Sequence, residues 1–199
     1  SRKTKKSIEL CRTFADSMLF FFLFLYTFPV EPIIKQRLID SFSAENSVKK
    51  YVSDAEKGLW KSEEILINEY FQTNSTVLDL GCGAGRTSLP LQKKGYLVTG
   101  VDITPKFIEI AKTRALKENL PVEFKVGDAC SLEFPDNSFD NVLFSFNGWS
   151  MIPTKEARLE AAKEIYRVLK PNGYYIFTAH KRTFFGQELI WITQFIRLY

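Results

Sequence analysis

The residues best suited to chemistry lie in the stretch "VLDLGCGAGRTS", residues 77–88. An apolar strand pattern leads into three glycines at alternate positions, Gly81, Gly83 and Gly85, and a helical pattern follows. Glycine has no side chain to keep a ligand away from the backbone, and the amides at a helix N-terminus attract polar ligands. The stretch therefore predicts a loop that binds a cofactor through its backbone.

Two residues of this stretch argue against the common nucleotide sites. A dinucleotide site requires a third glycine where this sequence has Arg86, and Asp79 would set a carboxylate beside a pyrophosphate. The lysine of a phosphate-binding P-loop is also absent from the stretch. A ligand that carries an ammonium group would instead be attracted by Asp79. The loop therefore favours a cofactor with a positively charged amino group.

The elements that must position this loop are predicted from alternating strand and helix patterns after residue 75. The strand segments are apolar on both faces, as in a parallel sheet covered by helices. Thr104 before Pro105 is typical of a helix N-terminus. The pattern predicts an α/β fold with a doubly wound, mostly parallel, Rossmann-like sheet, which binds ligands at the carboxyl ends of its strands. The predicted strands are residues 76–80, 97–101, 122–126, 141–146 and 174–178; the predicted helices are residues 87–94, 105–119 and 155–169, after a helical region at 35–72.

These motifs together resemble the class I S-adenosylmethionine-dependent methyltransferases over residues 51–180. "VLDLGCGAGR" is similar to the first motif of that family, and "VTGVDIT" ends the second strand with Asp102, where a carboxylate can accept both ribose hydroxyls. "VGDACSLEFPDNSFDNVLFSFNGW" and "EIYRVLKPNGYYIFTAH" are similar to the later motifs, in the family's order. The resemblance implies S-adenosyl-L-methionine as the cofactor and methyl transfer as the activity.

The resemblance also implies a role for each motif residue. Asp79 and the loop backbone would bind the methionine part of the cofactor, and Asp102 would bind the ribose. Ile103 would lie on one adenine face, while Asp128 and the Ala129 amide would bind the adenine edge. Ser145, with Phe146 and Asn147, would border the methyl group. The implied cofactor-binding residues are Asp79, Gly81, Cys82, Gly83, Asp102, Ile103, Asp128, Ala129 and Ser145.

Several of these residues also have a simpler structural interpretation. Asp79 or Asp128 alone would be typical of a turn or a helix cap, and Ile103 could belong to the core. Cys82 is interpreted as a small residue that fills the turn rather than as a nucleophile. The functional interpretation rests on the ordered set of motifs, because single motifs depend on their context.

The candidate catalytic residues are His180 and Asn147. A methyl group on a sulfonium is already activated, so transfer needs positioning and desolvation, and a base only where the acceptor loses a proton early. His180 is the only histidine and follows the fifth predicted strand on the ligand side, so it is a candidate base, although a surface or capping role is favoured. Tyr51 and Trp60 either cap the cofactor pocket or pack the N-terminal helices.

Composition limits the class of protein. The chain has 199 residues, 45% of them hydrophobic, which predicts a folded globular protein. Its net charge of +4 comes largely from a basic cluster at residues 2–6, so there is no specific signal for nucleic acid. The three cysteines, Cys11, Cys82 and Cys130, lack metal-ligand spacing, so no metal site is predicted. We expect reduced thiols in a cytoplasmic protein.

The most apolar run, residues 18–28, follows the basic cluster. It is shorter than the roughly 20 residues that a transmembrane helix needs, and no small-residue cleavage pattern follows it. A helix packed on the domain or lying at a membrane surface is therefore favoured, with a signal-like segment and a membrane anchor as alternatives.

Two regions are predicted along the chain: a basic and apolar segment at residues 1–34, and a methyltransferase domain at residues 35–199 with its core at 76–180. Residues 187–199 predict a helix, whereas the family's sheet normally continues with a helix and an antiparallel hairpin. We therefore expect a missing hairpin, an exposed fifth strand and a domain that is C-terminally incomplete, either as a fragment or completed by a partner. A first residue other than methionine also favours a partial product.

The predicted function is methyl transfer to a small-molecule acceptor. "FSFNGW" after the fourth strand differs from the Asn-Pro-Pro-Tyr motif typical of adenine or amide methylation, and no basic and aromatic patch accompanies the motifs. Two alternatives stay open: a non-catalytic or partner-completed methyltransferase-like protein, and a membrane-associated methyltransferase. The sequence determines neither the acceptor nor the oligomeric state.

Overall fold

The computed structural model describes residues 30–180 and 191–197. The chain divides into two compact units, Ser1–Arg37 and Leu38–Tyr199, and the second unit contains the sheet. The predictions for the basic cluster, for Cys11 and for the apolar run at 18–28 lie outside the described residues. Among the described helices, none combines the length and the apolarity needed to cross a bilayer.

The described part of the chain begins with three helices, in the region predicted to be helical. They are α1 (Val30–Ser43), α2 (Glu45–Glu56) and α3 (Lys61–Tyr70). Helix α3 turns Ile67 toward the sheet and buries it completely, together with Phe71 just after the helix. The short breaks between the helices follow Ser43 and Glu56.

The sheet has six described strands in the order β3-β2-β1-β4-β5-β6. The first five strands pair in parallel, as predicted, and β6 pairs with β5 in the antiparallel direction. The strand order reverses between β1 and β4, and in such sheets ligands bind at the carboxyl ends beside that point. The strands are β1 (Thr76–Leu80), β2 (Leu97–Asp102), β3 (Glu123–Val126), β4 (Phe139–Phe144), β5 (Leu169–His180) and β6 (Trp191–Arg197).

The remaining described helices connect the strands. They are α4 (Ser88–Lys93), α5 (Pro105–Lys117), α6 (Gly148–Met151) and α7 (Lys155–Val168). Thr154 caps α7 by accepting a hydrogen bond from the Ala157 amide at 3.0 Å. Thr104 precedes α5 as predicted, but its side chain makes no capping hydrogen bond.

The core lies on both faces of the central strands. Leu78 and Val142 pack with Ala161 and Ile165 of α7 on one face. On the other face, Val77 and Leu143 pack with residues of α3 and α4, including Ile67 and Leu91. Burying both faces explains why β1 and β4 are nearly continuous runs of apolar residues.

The structure corrects two predictions about the sheet. Residues 191–197 form strand β6 instead of part of a helix, and β6 covers the edge of β5 that was expected to be exposed. The strand predicted at 141–146 is shifted: β4 ends at Phe144 because Phe146 and Asn147 have left-handed backbone conformations, with φ of 52° and 63°. Both errors arise at places where the local apolar pattern does not determine whether the residues form a strand.

Candidate functional site

The glycine loop follows β1 and turns through left-handed conformations at Gly81, Gly83 and Gly85, with φ between 53° and 82°. A Cβ atom placed on Gly83 would have no heavy atom within 4 Å, apart from its chain neighbours. By contrast, a Cβ on Gly81 would lie 2.8 Å from the Phe144 ring. A Cβ on Gly85 would lie 3.4 Å from Leu89 and from Phe124. Gly83 is therefore the loop glycine whose missing side chain leaves open space for a ligand, whereas the other two are required by packing.

Asp79 lies on the central strand β1 just before this loop, and its side chain is only 1% exposed. One carboxylate oxygen, Oδ2, accepts hydrogen bonds from the hydroxyls of Ser88 at 2.5 Å and Thr87 at 2.6 Å. The other oxygen, Oδ1, has no hydrogen-bond partner among the described residues. Burial raises the pKa of Asp79 to about 6, although the two hydroxyls oppose this shift. A carboxylate with one unpartnered oxygen can accept a hydrogen bond from an ammonium group.

Asp102 ends β2 and holds the glycine loop from the neighbouring strand. Its Oδ2 accepts a hydrogen bond from the Gly83 amide at 2.9 Å, and its Oδ1 accepts one from the Thr104 amide at 2.8 Å. Burial raises the pKa of Asp102, and these backbone bonds oppose that rise. Each carboxylate oxygen has two lone pairs, so both oxygens can still accept a ligand hydroxyl.

The residues predicted to bind adenine follow β2 and β3. Ile103 is half-buried directly after Asp102. The Gly127 amide, at the end of β3, donates a hydrogen bond to the Asp102 carbonyl at 3.0 Å, which brings the two strand ends together. Asp128 closes a tight turn by accepting from the Cys130 amide at 3.0 Å, and Ala129 packs against the core. The adenine-binding roles of Ile103, Asp128 and Ala129 stay predictions.

The segment after β4 comprises Ser145, Phe146 and Asn147. The Asn147 amide donates to the Thr178 hydroxyl at 2.8 Å, and the Asn147 side-chain oxygen is buried without a hydrogen-bond partner among the described residues. A bulky residue such as Phe146 rarely adopts a left-handed conformation, so the surroundings must maintain it. The catalytic role of Asn147 stays a prediction.

His180, the other candidate catalytic residue, is the last residue of β5 and pairs with Trp191 of β6. Its backbone is therefore at the carboxyl end of a parallel strand, as predicted. Its catalytic role stays a prediction.

Glu63 and Arg86 form a buried ion pair that the sequence did not identify. Glu63 is 0% exposed, and the Arg86 guanidinium binds it through two hydrogen bonds, at 2.7 and 2.8 Å. Arg86 also donates to the Ser145 hydroxyl at 2.8 Å, so it joins α3, the glycine loop and the segment after β4. Glu63 follows Trp60 by three residues, which by itself indicates only a capping pattern. The Trp60 backbone amide donates a hydrogen bond to the Glu63 carboxylate at 2.8 Å, which fits that pattern.

Aromatic rings from the N-terminal helices contact the same segment. The Tyr51 ring of α2 lies 5.4 Å from Phe107 and 5.7 Å from Phe146, measured between ring centroids. The Trp60 ring lies 5.1 Å from Phe146. Phe107 belongs to the helix after β2 and Phe146 follows β4, so Tyr51 bridges the ends of the two strands that flank β1. Both alternatives predicted for Tyr51 and Trp60 fit these contacts.

Neither cysteine in the described part of the chain, Cys82 or Cys130, shows a sign of nucleophilic function. Cys82 is buried among apolar residues, and this burial raises its pKa well above the ordinary value. The Cys130 thiol donates to the Ala157 carbonyl at 3.3 Å. No group of three or more histidine, cysteine or acidic side chains could hold a metal ion within the part of the chain that the structure describes.

A cavity of about 390 Å³ lies at the opposite ends of the strands. Its lining includes Ser75 before β1, Asp140 near the start of β4, and Lys170. The Lys170 ammonium and the Asp140 carboxylate pair there at 2.9 Å. Because ligands of such sheets bind at the carboxyl ends, this cavity is separate from the glycine-loop site.

Comparisons with known proteins agree with this geometry. Residues 77–173 match the methyltransferase domain family. The chain is 42% identical over 100 residues to 2-methyl-6-phytyl-1,4-hydroquinone methyltransferase of Synechocystis, which covers 50% of this chain and 30% of that protein. It is 35% identical over 156 residues to the ubiquinone/menaquinone biosynthesis C-methyltransferase UbiE of Rickettsia bellii, which covers 71% of this chain and 60% of that protein. This chain therefore spans less than two thirds of the length of these relatives.

A solved structure supports the same relationship. The S-adenosylmethionine-dependent methyltransferase of Methanosarcina mazei matches with a TM-score of 0.56 and 38% identity, over 61% of this chain and 57% of that one. The matched family domain begins at β1, so helices α1 to α3 precede it.

Proposed function

Because this chain belongs to the class I S-adenosylmethionine-dependent methyltransferase family, we propose that it transfers a methyl group from S-adenosylmethionine to a small organic acceptor. The observation that carries the proposal is the open space at Gly83, beside the carboxylate of Asp102 and after the half-satisfied carboxylate of Asp79. When bound, S-adenosylmethionine supplies a methyl group that is activated by a positively charged sulfur.

The buried carboxylates suit the polar groups of this cofactor. Asp79 would accept a hydrogen bond from the amino group through Oδ1, and the bare backbone at Gly83 allows the methionine part to approach. Asp102 would accept the ribose hydroxyls while it holds the Gly83 amide. Ile103, Asp128 and Ala129 would surround the adenine, as the family motifs imply.

For the transfer itself, the chain has to position the acceptor and exclude water. Ser145, Phe146 and Asn147 would border the methyl group, and the rings of Tyr51 and Trp60 pack beside Phe146. These aromatic rings would shield the reacting atoms from water. A base is needed only for an acceptor that loses its proton early, and His180 is the candidate for that step.

We infer further that the acceptor is a flat, hydroquinone-like ring. Two relatives are named for methylation in hydroquinone or quinone biosynthesis, and one of them is 42% identical over its matched region. The aromatic side chains beside the segment after β4 would stack on such a ring. Incubation with methyl-labelled S-adenosylmethionine and a short-chain 1,4-benzohydroquinone should label the organic product. Labelling of added peptide or RNA instead would contradict this acceptor class.

We propose that this activity takes place in the cytoplasm, where the cofactor is made. The alternative to be tested is that residues 18–28 contact a membrane surface. Flotation of the full chain with lipid vesicles distinguishes the two. Recovery of all the protein in the unbound fraction would contradict membrane contact.

The cofactor assignment is tested by calorimetric titration with S-adenosylhomocysteine. Asp102→Ala should weaken binding roughly tenfold to a thousandfold, because charge-assisted hydrogen bonds contribute about 1.5–3 kcal/mol each. Circular dichroism should show that the variant still folds. No binding by the parent chain at millimolar ligand would contradict the proposed function, and parental affinity in a folded Asp102→Ala variant would contradict the role of Asp102.

A further inference from the structure

The ion pair between Glu63 and Arg86 joins three parts of the site that are distant in sequence. Arg86 lies directly after the glycine loop, Glu63 lies on α3, and both bind Ser145 after β4: the Arg86 guanidinium donates to the Ser145 hydroxyl, which donates in turn to Glu63. The guanidinium also donates to the Gly58 carbonyl at 2.8 Å. The contacts of Glu63 and Gly58 therefore connect the N-terminal helical region with the carboxyl ends of the strands, and the contact between Arg86 and Ser145 connects two of those strand ends with each other.

Stability alone does not account for such a pair. Removing two charges from water costs about as much as their attraction returns, so apolar residues of similar volume would hold these elements together equally well. What an ion pair adds is geometry, because two parallel hydrogen bonds fix the plane of the guanidinium. Here that plane lies beside two aromatic rings, with the guanidinium carbon 4.9 Å from the Trp60 centroid and 5.3 Å from the Phe146 centroid.

Phe146, whose ring lies beside this guanidinium, has an unfavourable backbone conformation. Phe146 has a φ of 52°, and its neighbour Asn147 has a φ of 63°. Ser145 on one side is bound by the ion pair, and the Phe146 ring packs against Trp60 and Tyr51. Asparagine tolerates the left-handed region but phenylalanine does not, so without these contacts the local sequence does not favour the left-handed conformation of Phe146.

A second arginine, Arg114, also connects the glycine loop with the N-terminal helices. Arg114 of α5 donates to the Ala84 carbonyl in the glycine loop at 2.5 Å and to the Ala55 carbonyl of α2 at 3.1 Å. The glycine loop is thus attached to both α2 and α3, which lie outside the matched methyltransferase domain. The N-terminal helices are part of the site's framework.

From these contacts we propose that Glu63 and Arg86 are positioning residues for methyl transfer. They hold Ser145 in place and so maintain the left-handed conformations of Phe146 and Asn147, in the segment that would border the transferred methyl group. The proposal rests on the proposed function for its meaning in catalysis, but the conformational effect is measurable without the acceptor.

The test is hydrogen exchange of backbone amides in the full chain, with and without S-adenosylhomocysteine. Glu63→Gln keeps the side-chain shape and removes the charge, and Ser145→Ala removes only the hydroxyl. In both variants, exchange in the peptide that spans residues 145–148 should accelerate about tenfold or more, while the strands β1 and β2 keep the parental rates. The matched control is Glu64→Gln, the next residue of α3, whose carboxylate pairs with Lys94 at the surface and should leave that peptide unchanged.

The outcomes separate the two proposals. Parental exchange at 145–148 in a folded Glu63→Gln or Ser145→Ala variant would overturn the positioning role, as would an equal acceleration throughout the sheet. If Glu63→Gln does not fold, Ser145→Ala decides alone. A parent chain that binds no S-adenosylhomocysteine contradicts the proposed function, while the exchange comparison without ligand still tests the positioning role.

Discussion

At the scale of single residues, the two buried carboxylates of the candidate site accept hydrogen bonds from the protein and keep acceptor capacity for a ligand. Asp102 binds the amides of Gly83 and Thr104, and Asp79 binds the hydroxyls of Thr87 and Ser88. Because each contact fixes an oxygen before any ligand arrives, little conformational freedom remains to be lost on binding. The buried carboxylates are therefore preorganised, at the cost of the raised pKa values that burial produces.

Gly83→Ala should weaken ligand binding more than it destabilises the fold. Its Cβ would enter open space, and the left-handed φ of 53° costs about 1 kcal/mol for alanine. We expect S-adenosylhomocysteine affinity to fall at least about tenfold in calorimetry, because the Cβ occupies the approach to the backbone. The matched control is Gly85→Ala, whose Cβ would press on Leu89 and Phe124 and should destabilise the fold more, with the smaller loss of affinity. Equal affinities for the parent and Gly83→Ala would contradict this placement of the ligand.

Binding of S-adenosylhomocysteine should weaken as the pH falls through about 6. The pKa of Asp79 is raised to about 6 from its ordinary 3.8, and only the ionised carboxylate attracts an ammonium group strongly. Between pH 7 and pH 5 the dissociation constant should therefore rise about tenfold. In Asp79→Asn, binding should be weaker at pH 7 and nearly independent of pH across this range. An unchanged pH profile in that variant would contradict the role of Asp79.

The raised pKa of Asp79 affects folding stability in the opposite direction from ligand binding. The folded protein keeps the Asp79 proton up to about pH 6, whereas the unfolded chain loses it near 3.8, so the contribution of Asp79 to stability falls as the pH rises between these values. Urea unfolding of the parent and of Asp79→Asn at several pH values measures this contribution.

At the scale of elements, the two threonines that precede helices α5 and α7 differ in whether they form an N-cap. Thr154 accepts a hydrogen bond from the Ala157 amide at the start of α7, whereas Thr104 makes no capping bond at the start of α5. Thr154→Ala should lower the free energy of unfolding by about 1 kcal/mol. Thr104→Ala should lower it less, and the difference is measured by denaturant unfolding. A larger loss for Thr104→Ala would contradict this account of the caps.

The second feature at the scale of elements is the point at which strand β4 ends. Strand β4 stops at Phe144, and the next residues turn left-handed where the ion pair of Arg86 and Glu63 holds them. Gly148 lies beside this turn, and a Cβ there would come within 2.1 Å of the Phe144 ring. The end of β4 is thus determined by packing against other elements.

At the scale of the whole molecule, the cofactor should stabilise the folded chain, because under the proposed function it would connect the ends of several strands. At a ligand concentration of 100 times the dissociation constant, binding adds about 2.7 kcal/mol to the free energy of unfolding. For a chain of this length we expect S-adenosylhomocysteine to raise the melting temperature by about 5–10 °C. NADH should cause no shift, because Arg86 stands where a dinucleotide site needs glycine. A shift with NADH and none with S-adenosylhomocysteine would contradict the cofactor assignment.

The sequence by itself determined the fold class, the parallel strands and the family. Runs of buried apolar residues specify central parallel strands, and the glycines after β1 and Asp102 at the end of β2 lie at fixed places in such a sheet. Each of these features can be predicted from the residue pattern of a single strand-loop-helix unit, so the local sequence is enough to indicate it. The site roles drawn from the family motifs stay predictions to be tested by the variants above.

Only the tertiary structure decided how the N-terminal helices contact the glycine loop and the segment after β4, and how the far edge of the sheet is covered. The partners Glu63, Arg86 and Ser145 are up to 82 residues apart in sequence, and each alone has an ordinary local interpretation. Likewise, residues 191–197 have a pattern that suits a helix or a strand, and pairing with β5 makes them a strand. Long-range burial and pairing outweigh local propensity at such places, because the energy of contacts between distant segments is not present in the local sequence.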